Sequence, residues 1–155
     1  SRKIVGSKGF VLGVDLKHIQ SFDQPNVRVV IGDVTEPQTI EQIKKLLPRP
    51  ADVVISDVAP NISGIWELDH ARQIDLAQQS LRIATSILRP KGHFFVKVFQ
   101  GDMLNDFVRE VKQNFAFVKI IKPKASRAKS AELYILGMNL RQVYSTRSTF
   151  HCTLR

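Results

Sequence analysis

Apolar residues recur along this chain with two different periods. Gly9 to Leu16 (GFVLGVDL), Val27 to Ile31 (VRVVI), Ala51 to Asp57 (ADVVISD) and His93 to Phe99 (HFFVKVF) are short, nearly continuous apolar runs of strand length. Between the second and third, Ile40, Ile43 and Leu47 fall at helical spacing behind Thr35, Pro37 and Gln38, a helix-opening signal that closes at Pro48-Arg49-Pro50. The stretch APNISGIWEL after Asp57 has no period and reads as a loop. From Asp69, a good N-cap, Ile74, Ala77, Leu81, Ala84 and Leu88 recur every three to four residues until Pro90-Lys91-Gly92. Asp102 then opens a helix with Phe107, Val111 and Phe115 on one face. Phe117 to Ile121 and Glu132 to Gly137 read as two more strands, with only the basic loop Lys122 to Ser130 between them, so they are expected to pair antiparallel.

Strand and helix thus alternate, and the strands are apolar throughout. That pattern predicts a doubly wound α/β fold: a mostly parallel sheet covered on both faces, with an antiparallel strand at its C-terminal edge. At 155 residues and 17.5 kDa the chain suits one domain, taken as residues 1–141, followed by a polar tail over 142–155. No apolar run approaches the roughly 20 residues of a membrane helix. One cysteine, Cys152, supplies neither an internal disulfide nor a cysteine-based zinc site, which points to a reducing compartment, the cytoplasm. The net charge of +9 favours a polyanionic partner, with nucleic acid the leading candidate.

In an open parallel sheet ligands bind beyond the carboxyl ends of the strands. Three such ends carry aspartate: Asp15, Asp33 and Asp57. A carboxylate there can accept both hydroxyls of a ribose, although any one of them can equally satisfy a turn or cap a helix. Lys97 interrupts an apolar strand, where an unpaired ammonium is costly. Either it snorkels from a sheet edge or it reaches the sheet end and a partner such as Asp57. Glu132, at the start of the last strand, taken alone reads as a solvated carboxylate. Two carboxylates converging on a lysine can take a proton from a weakly acidic hydroxyl. No Walker loop, His-Glu zinc motif or Gly-x-Ser-x-Gly elbow is present, and His18, His70, His93 and His151 show no ligand spacing.

Three blocks, ISDVAPNISGIWELDHARQIDLAQQSL, FFVKVFQGD and KPKASRAKSAELYILG, closely resemble the FtsJ/RrmJ-type ribosomal RNA large-subunit 2′-O-methyltransferases in order and spacing, from about Gly9 to Gly137. The resemblance implies a Rossmann-like, S-adenosylmethionine-dependent enzyme that methylates a ribose 2′-hydroxyl of ribosomal RNA, such as a uridine of 23S rRNA, in the cytoplasm and as a monomer. Carried onto this chain, it makes Lys97 the base that deprotonates the hydroxyl, with Asp57 and Glu132 orienting it and tuning its basicity. Asp57 also lies near the methionine end of the cofactor. Asp15 then takes the cofactor ribose and Asp33 lies beside the adenine, with Leu16 and Val34 also in the cofactor site, and Lys122, Lys124, Arg127 and Lys129 contact RNA phosphates. Two other readings stay open: a transfer-RNA 2′-O-methyltransferase of the same family, and a non-catalytic RNA-binding or ribosome-assembly module.

The family pattern opens with an RNA-binding lysine segment and a first strand ending in a D-x-G-x-x-P-G-G-W-type loop, and neither occurs in these 155 residues. Ser1 to Val5 resembles the end of the helix that follows that loop. A fragment of a longer protein is therefore expected, with weak or no activity alone and with sheet edges left unpaired where the first strand would lie.

Overall fold

The computed structural model describes residues 5–17, 24–123 and 131–142. Its elements are β1 (Val11–Asp15), β2 (Val27–Ile31), α1 (Pro37–Leu46), β3 (Ala51–Ser56), α2 (Trp66–Ile87), β4 (Leu88–Phe99), α3 (Leu104–Asn114), β5 (Phe115–Ile121) and β6 (Glu132–Leu140). The α/β alternation is as expected, but the strands form two sheets rather than one. β1 and β2 pair in parallel as a two-stranded ribbon, and β3-β4-β6-β5 form a four-stranded sheet. Among the described residues, one edge each of β1 and β3 has no ladder partner.

Within the larger sheet β3 and β4 are parallel, and β6 runs antiparallel to both its neighbours. The antiparallel strand is therefore not the edge: β6 lies between β4 and β5. β5 returns through α3 parallel to β4, and β6 then runs back between them.

One apolar cluster holds this sheet to its helices. Ile74, Ala77, Leu81 and Ala84 of α2 and Leu104, Phe107, Val108 and Val111 of α3 pack with Phe94, Val96 and Val98 of β4 and Leu133 and Ile135 of β6. Strand alternation sends the other side chains to the opposite face, where Val53 and Ile55 are exposed. The expectation of cover on both faces fails here: among the described residues α2 and α3 cover one face only. No residue of β1, β2 or α1 belongs to the cluster, and that first unit buries its own Val30, Thr39 and Ile43.

Several local readings shift. α1 starts at Pro37 behind Glu36 without a side-chain cap, because Thr35 instead donates from its amide and hydroxyl to Asp33 Oδ1, at 2.8 and 2.7 Å. α2 begins at Trp66, inside the stretch read as a loop, so Asp69 is not its N-cap. Met103, not Asp102, is the N-cap of α3. Phe115 leaves the helix and opens β5, stacked on Phe94 at 6.0 Å, since a core-facing ring serves either period. Pro90-Lys91-Gly92 stands three residues past the end of α2 at Ile87. It lies in an irregular start to β4, where the register with β3 shifts between Ala51 and Val53.

That shift is pinned by Asp52, whose carboxylate accepts from Arg49 at 2.6 Å and from Arg89 at 2.6 Å. The Arg49 hydrogen bond, then the Arg89 one, hold the Asp52 carboxyl down at about 2. A carboxyl lowered on folding contributes stability above its unfolded value, near 3.9, and loses it as pH falls towards the folded value. The midpoint of urea unfolding is therefore expected to fall between pH 4 and about 2, and Asp52→Asn to flatten that slope.

Candidate active site

The site forms where β3, β4 and β5 end and β6 begins. The β3–β4 ladder stops at Ser56 and Val96, so the next residues, Asp57 and Lys97, lie side by side beyond the last rung. Lys97 is buried, and its Nζ donates to Asp57 Oδ1 at 2.9 Å and to the Asp57 carbonyl at 3.4 Å. The pairing reading of Lys97 therefore holds, and the snorkelling one does not. Asp57 is opposite in character, with 72% of its side chain exposed. The pair thus has one dry end and one wet end.

Glu132 faces Phe99 across the β4–β6 ladder, and Lys97 faces Tyr134. Residues directly opposite share a face, so Glu132 is the diagonal neighbour of Lys97 on one side of the sheet, within reach of a long side chain. One further rung, from Gln100 N to the Ala131 carbonyl at 2.8 Å, holds the two chain segments together past Glu132. Lys122, exposed just beyond β5, lies at this same sheet end. Lys124, Arg127 and Lys129 fall outside the described residues.

Asp15 and Asp33 lie at the carboxyl end of the small parallel ribbon, joined by the bond from Gly32 N to the Asp15 carbonyl at 3.0 Å. Asp15 Oδ1 accepts from Lys17 N at 2.9 Å and Asp33 Oδ1 from Thr35, which leaves the Oδ2 of each without a partner among the described residues. Those Thr35 bonds, the backbone one first, lower the Asp33 carboxyl. Leu16 is exposed and Val34 half-buried beside them. Two carboxylate acceptors flanked by short apolar side chains fit the hydroxyls and flat base of a nucleoside.

Sequence reasoning missed how α2 fastens this end of the sheet. Gln73 is buried, and its amide nitrogen donates to the carbonyls of Val58 and Lys97, both at 3.0 Å. It thereby bridges the two chains beyond their last ladder rung. Ser80 binds Ser56 Oγ at 2.8 Å one rung earlier. Asp69, buried in the first turns of α2, reaches back to accept from Ser63 N and Oγ, both at 2.8 Å, and from Gly64 N at 3.1 Å. The Ser63 backbone bond, first among these, lowers its carboxyl. Gly64 takes φ +88°, a turn that a side chain would strain. His70 packs rather than ligates: its Nε2 accepts from Met103 N at 3.1 Å, capping α3, and a Cβ on Gly101 would come within 2.6 Å of its ring. The signal was in the sequence, since His70, Gln73 and Ser80 are polar residues on the helix stripe that also carries Ala77 and Ala84.

A model of FtsJ-like methyltransferases matches residues 2–140. The chain belongs to the FtsJ-like methyltransferase family. It is 53% identical over 134 residues to the ribosomal RNA large subunit methyltransferase E of Methanothrix thermoacetophila, covering 86% of this chain and 52% of that protein. The namesake from Methanocaldococcus jannaschii is 49% identical over 140 residues, covering 88% and 57%. The chain thus spans about half the length of the curated relatives it matches. Among solved structures, a chain described as a ribosomal RNA methyltransferase of Plasmodium falciparum superposes with a TM-score of 0.75 at 23% identity, covering 86% of this chain and 73% of that one. Human methyltransferase-like protein 13, solved with S-adenosylhomocysteine, superposes with a TM-score of 0.62 at 16% identity, covering 95% and 68%. These two likenesses give the FtsJ-like chain its fold, that of the class I methyltransferases.

Proposed function

We propose that this chain carries the catalytic residues of an S-adenosylmethionine-dependent methyltransferase that acts on a ribose 2′-hydroxyl of large-subunit ribosomal RNA, a uridine of 23S rRNA, in the cytoplasm. The observation that carries the reading is the buried Lys97 held 2.9 Å from Asp57 at the sheet end where the class I fold binds its ligands. The relatives named for ribosomal RNA point to the same substrate. So does the net charge of +9. No helix among the described residues is long and apolar enough to cross a membrane.

Asp15 and Asp33 would hold the ribose and adenine end of the cofactor, with Leu16 and Val34 against its base, and Asp57 would face its methionine end. When bound, the cofactor supplies an electrophilic methyl group. Lys97 would take the proton of the ribose hydroxyl as that oxygen becomes the nucleophile. Asp57 aims the amine and stabilises the ammonium that results, and Glu132 approaches it from β6. Lys122, together with Lys124, Arg127 and Lys129, would neutralise RNA phosphates.

Calorimetric titration of S-adenosylmethionine tests the cofactor assignment. The ligand is titrated into this chain and into a form carrying the Gly-rich segment of its relatives ahead of residue 1. Asp15→Ala is expected to weaken binding about tenfold or more, as for a lost hydrogen bond to a charged group. Binding by neither form, or binding indifferent to Asp15, overturns it. Transfer of a labelled methyl group to transfer RNA but not to 23S rRNA would overturn the substrate assignment alone.

A further inference from the structure

We propose that Trp66 is a stacking platform for the base of an unpaired RNA nucleotide entering the site. The proposal rests on the RNA-methyltransferase reading above and adds to it a recognition residue. The stripe of α2 that faces the sheet runs through Trp66, His70, Gln73, Ala77, Ser80 and Ala84. Every member from His70 onwards is buried, whereas Trp66, at the end of the helix beyond the sheet, stays 47% exposed. Its indole therefore projects over the carboxyl end of β4.

Two rings hold it there. Phe99 lies 6.1 Å away at 23° and His70 6.3 Å away at 14°, both stacked. Phe99 is itself buried, opposite Glu132, and shares with Lys97 one face of β4 two residues apart, about 7 Å along a strand. The platform is thus tied through Phe99 to the strand that carries the base. Around it, Ile62, Ile65 and Leu68 are also exposed, in a segment that starts at Asp57 and is fixed by the three bonds to Asp69.

An exposed aromatic ring held by two stacked neighbours at the end of the strand that carries Lys97 suits a flat ligand. Unpaired RNA bases stack on such rings, and the phosphates that accompany them match the net charge of +9 and the exposed Lys122 at the same sheet end. An apolar patch for a protein partner would use the same side chains but has no need of a ring stacked at the end of the strand that carries Lys97.

Trp66 is the single tryptophan of the chain, so its fluorescence reports the contact directly. The test titrates the full chain with a single-stranded pentauridylate and with an abasic pentamer of equal charge, and measures binding separately by calorimetry. Pentauridylate is expected to quench Trp66 and the abasic pentamer to bind without quenching. Trp66→Leu should weaken pentauridylate binding about tenfold, the usual worth of one base–aromatic stack, and Trp66→Phe should recover most of it. RNA binding with no change in Trp66 fluorescence, equal quenching by the abasic pentamer, or equal affinity in Trp66→Leu overturns the platform and leaves the enzyme reading standing. If the wild-type chain binds no RNA in any form, the platform and the RNA reading fall together.

Discussion

Replacing Lys97 with methionine is expected to lower the rate of methyl transfer to RNA about 10³-fold, within the range of a lost general base, with S-adenosylmethionine affinity changed less than about threefold. Methionine keeps the apolar stem and removes the amine. The fold should tolerate the change, because the partner left behind, Asp57, has 72% of its side chain in solvent and suffers no buried-charge penalty. Lys97→Arg should be as inactive, since a guanidinium retains the ion pair but does not give up its proton in a protein. The check is single-turnover transfer of a labelled methyl group by the wild type and both variants. Activity in the arginine variant within tenfold of wild type would reduce Lys97 to an electrostatic role.

The second large effect belongs to a residue that touches no reactant. Gln73→Met should cost about 10²-fold in the same assay, the scale on which misplacement of about 1 Å is felt. The β3–β4 ladder ends at Ser56 and Val96, and from there the Gln73 amide bridges the carbonyls of Val58 and Lys97. Without it the two chains can drift apart at the point where Asp57 and Lys97 must stay 2.9 Å apart. The buried Lys97 carbonyl and the half-buried Val58 carbonyl also lose this donor, at about 1–3 kcal/mol for a fully buried group, so the melting temperature should fall as well. Gln73→Glu discriminates further: an anionic carboxylate aimed at two carbonyl oxygens should be less stable than methionine. A methionine variant that melts lower but turns over at the wild-type rate would leave Gln73 a purely structural residue.

Much of this was legible in the chain. Apolar runs marked every strand, four of them within two residues at each end, although β4 begins five residues before His93 and β6 runs three past Gly137; the lysine in HFFVKVF stood out because its environment had to be exceptional. What the pattern misplaced was of two kinds. Boundaries moved where one residue satisfied two geometries, as Phe115 does at the turn from α3 into β5 and Asp69 does four positions into α2 while still binding backbone amides ahead of it. Pairing order was hidden, since nothing in FVKII or ELYILG says that β6 slides between β4 and β5. Gln73 escaped because a polar residue among apolar ones looks like an imperfection in a helix stripe until the carbonyls it reaches are known.

The absence of a common ladder between the β1–β2 ribbon and the larger sheet gives the molecule two cooperative units of unequal strength. The apolar cluster that resists unfolding draws nothing from the first unit, so β1, β2 and α1 can open at lower free energy than α2, α3 and their sheet. Such an opening would dismantle the nucleoside half of the site, Asp15 and Asp33, while Lys97 and Asp57 remained in register. Any ligand that spans both halves then acts as a clamp: its binding energy goes partly into closing the weaker unit, and its apparent affinity measures how often that unit is already closed.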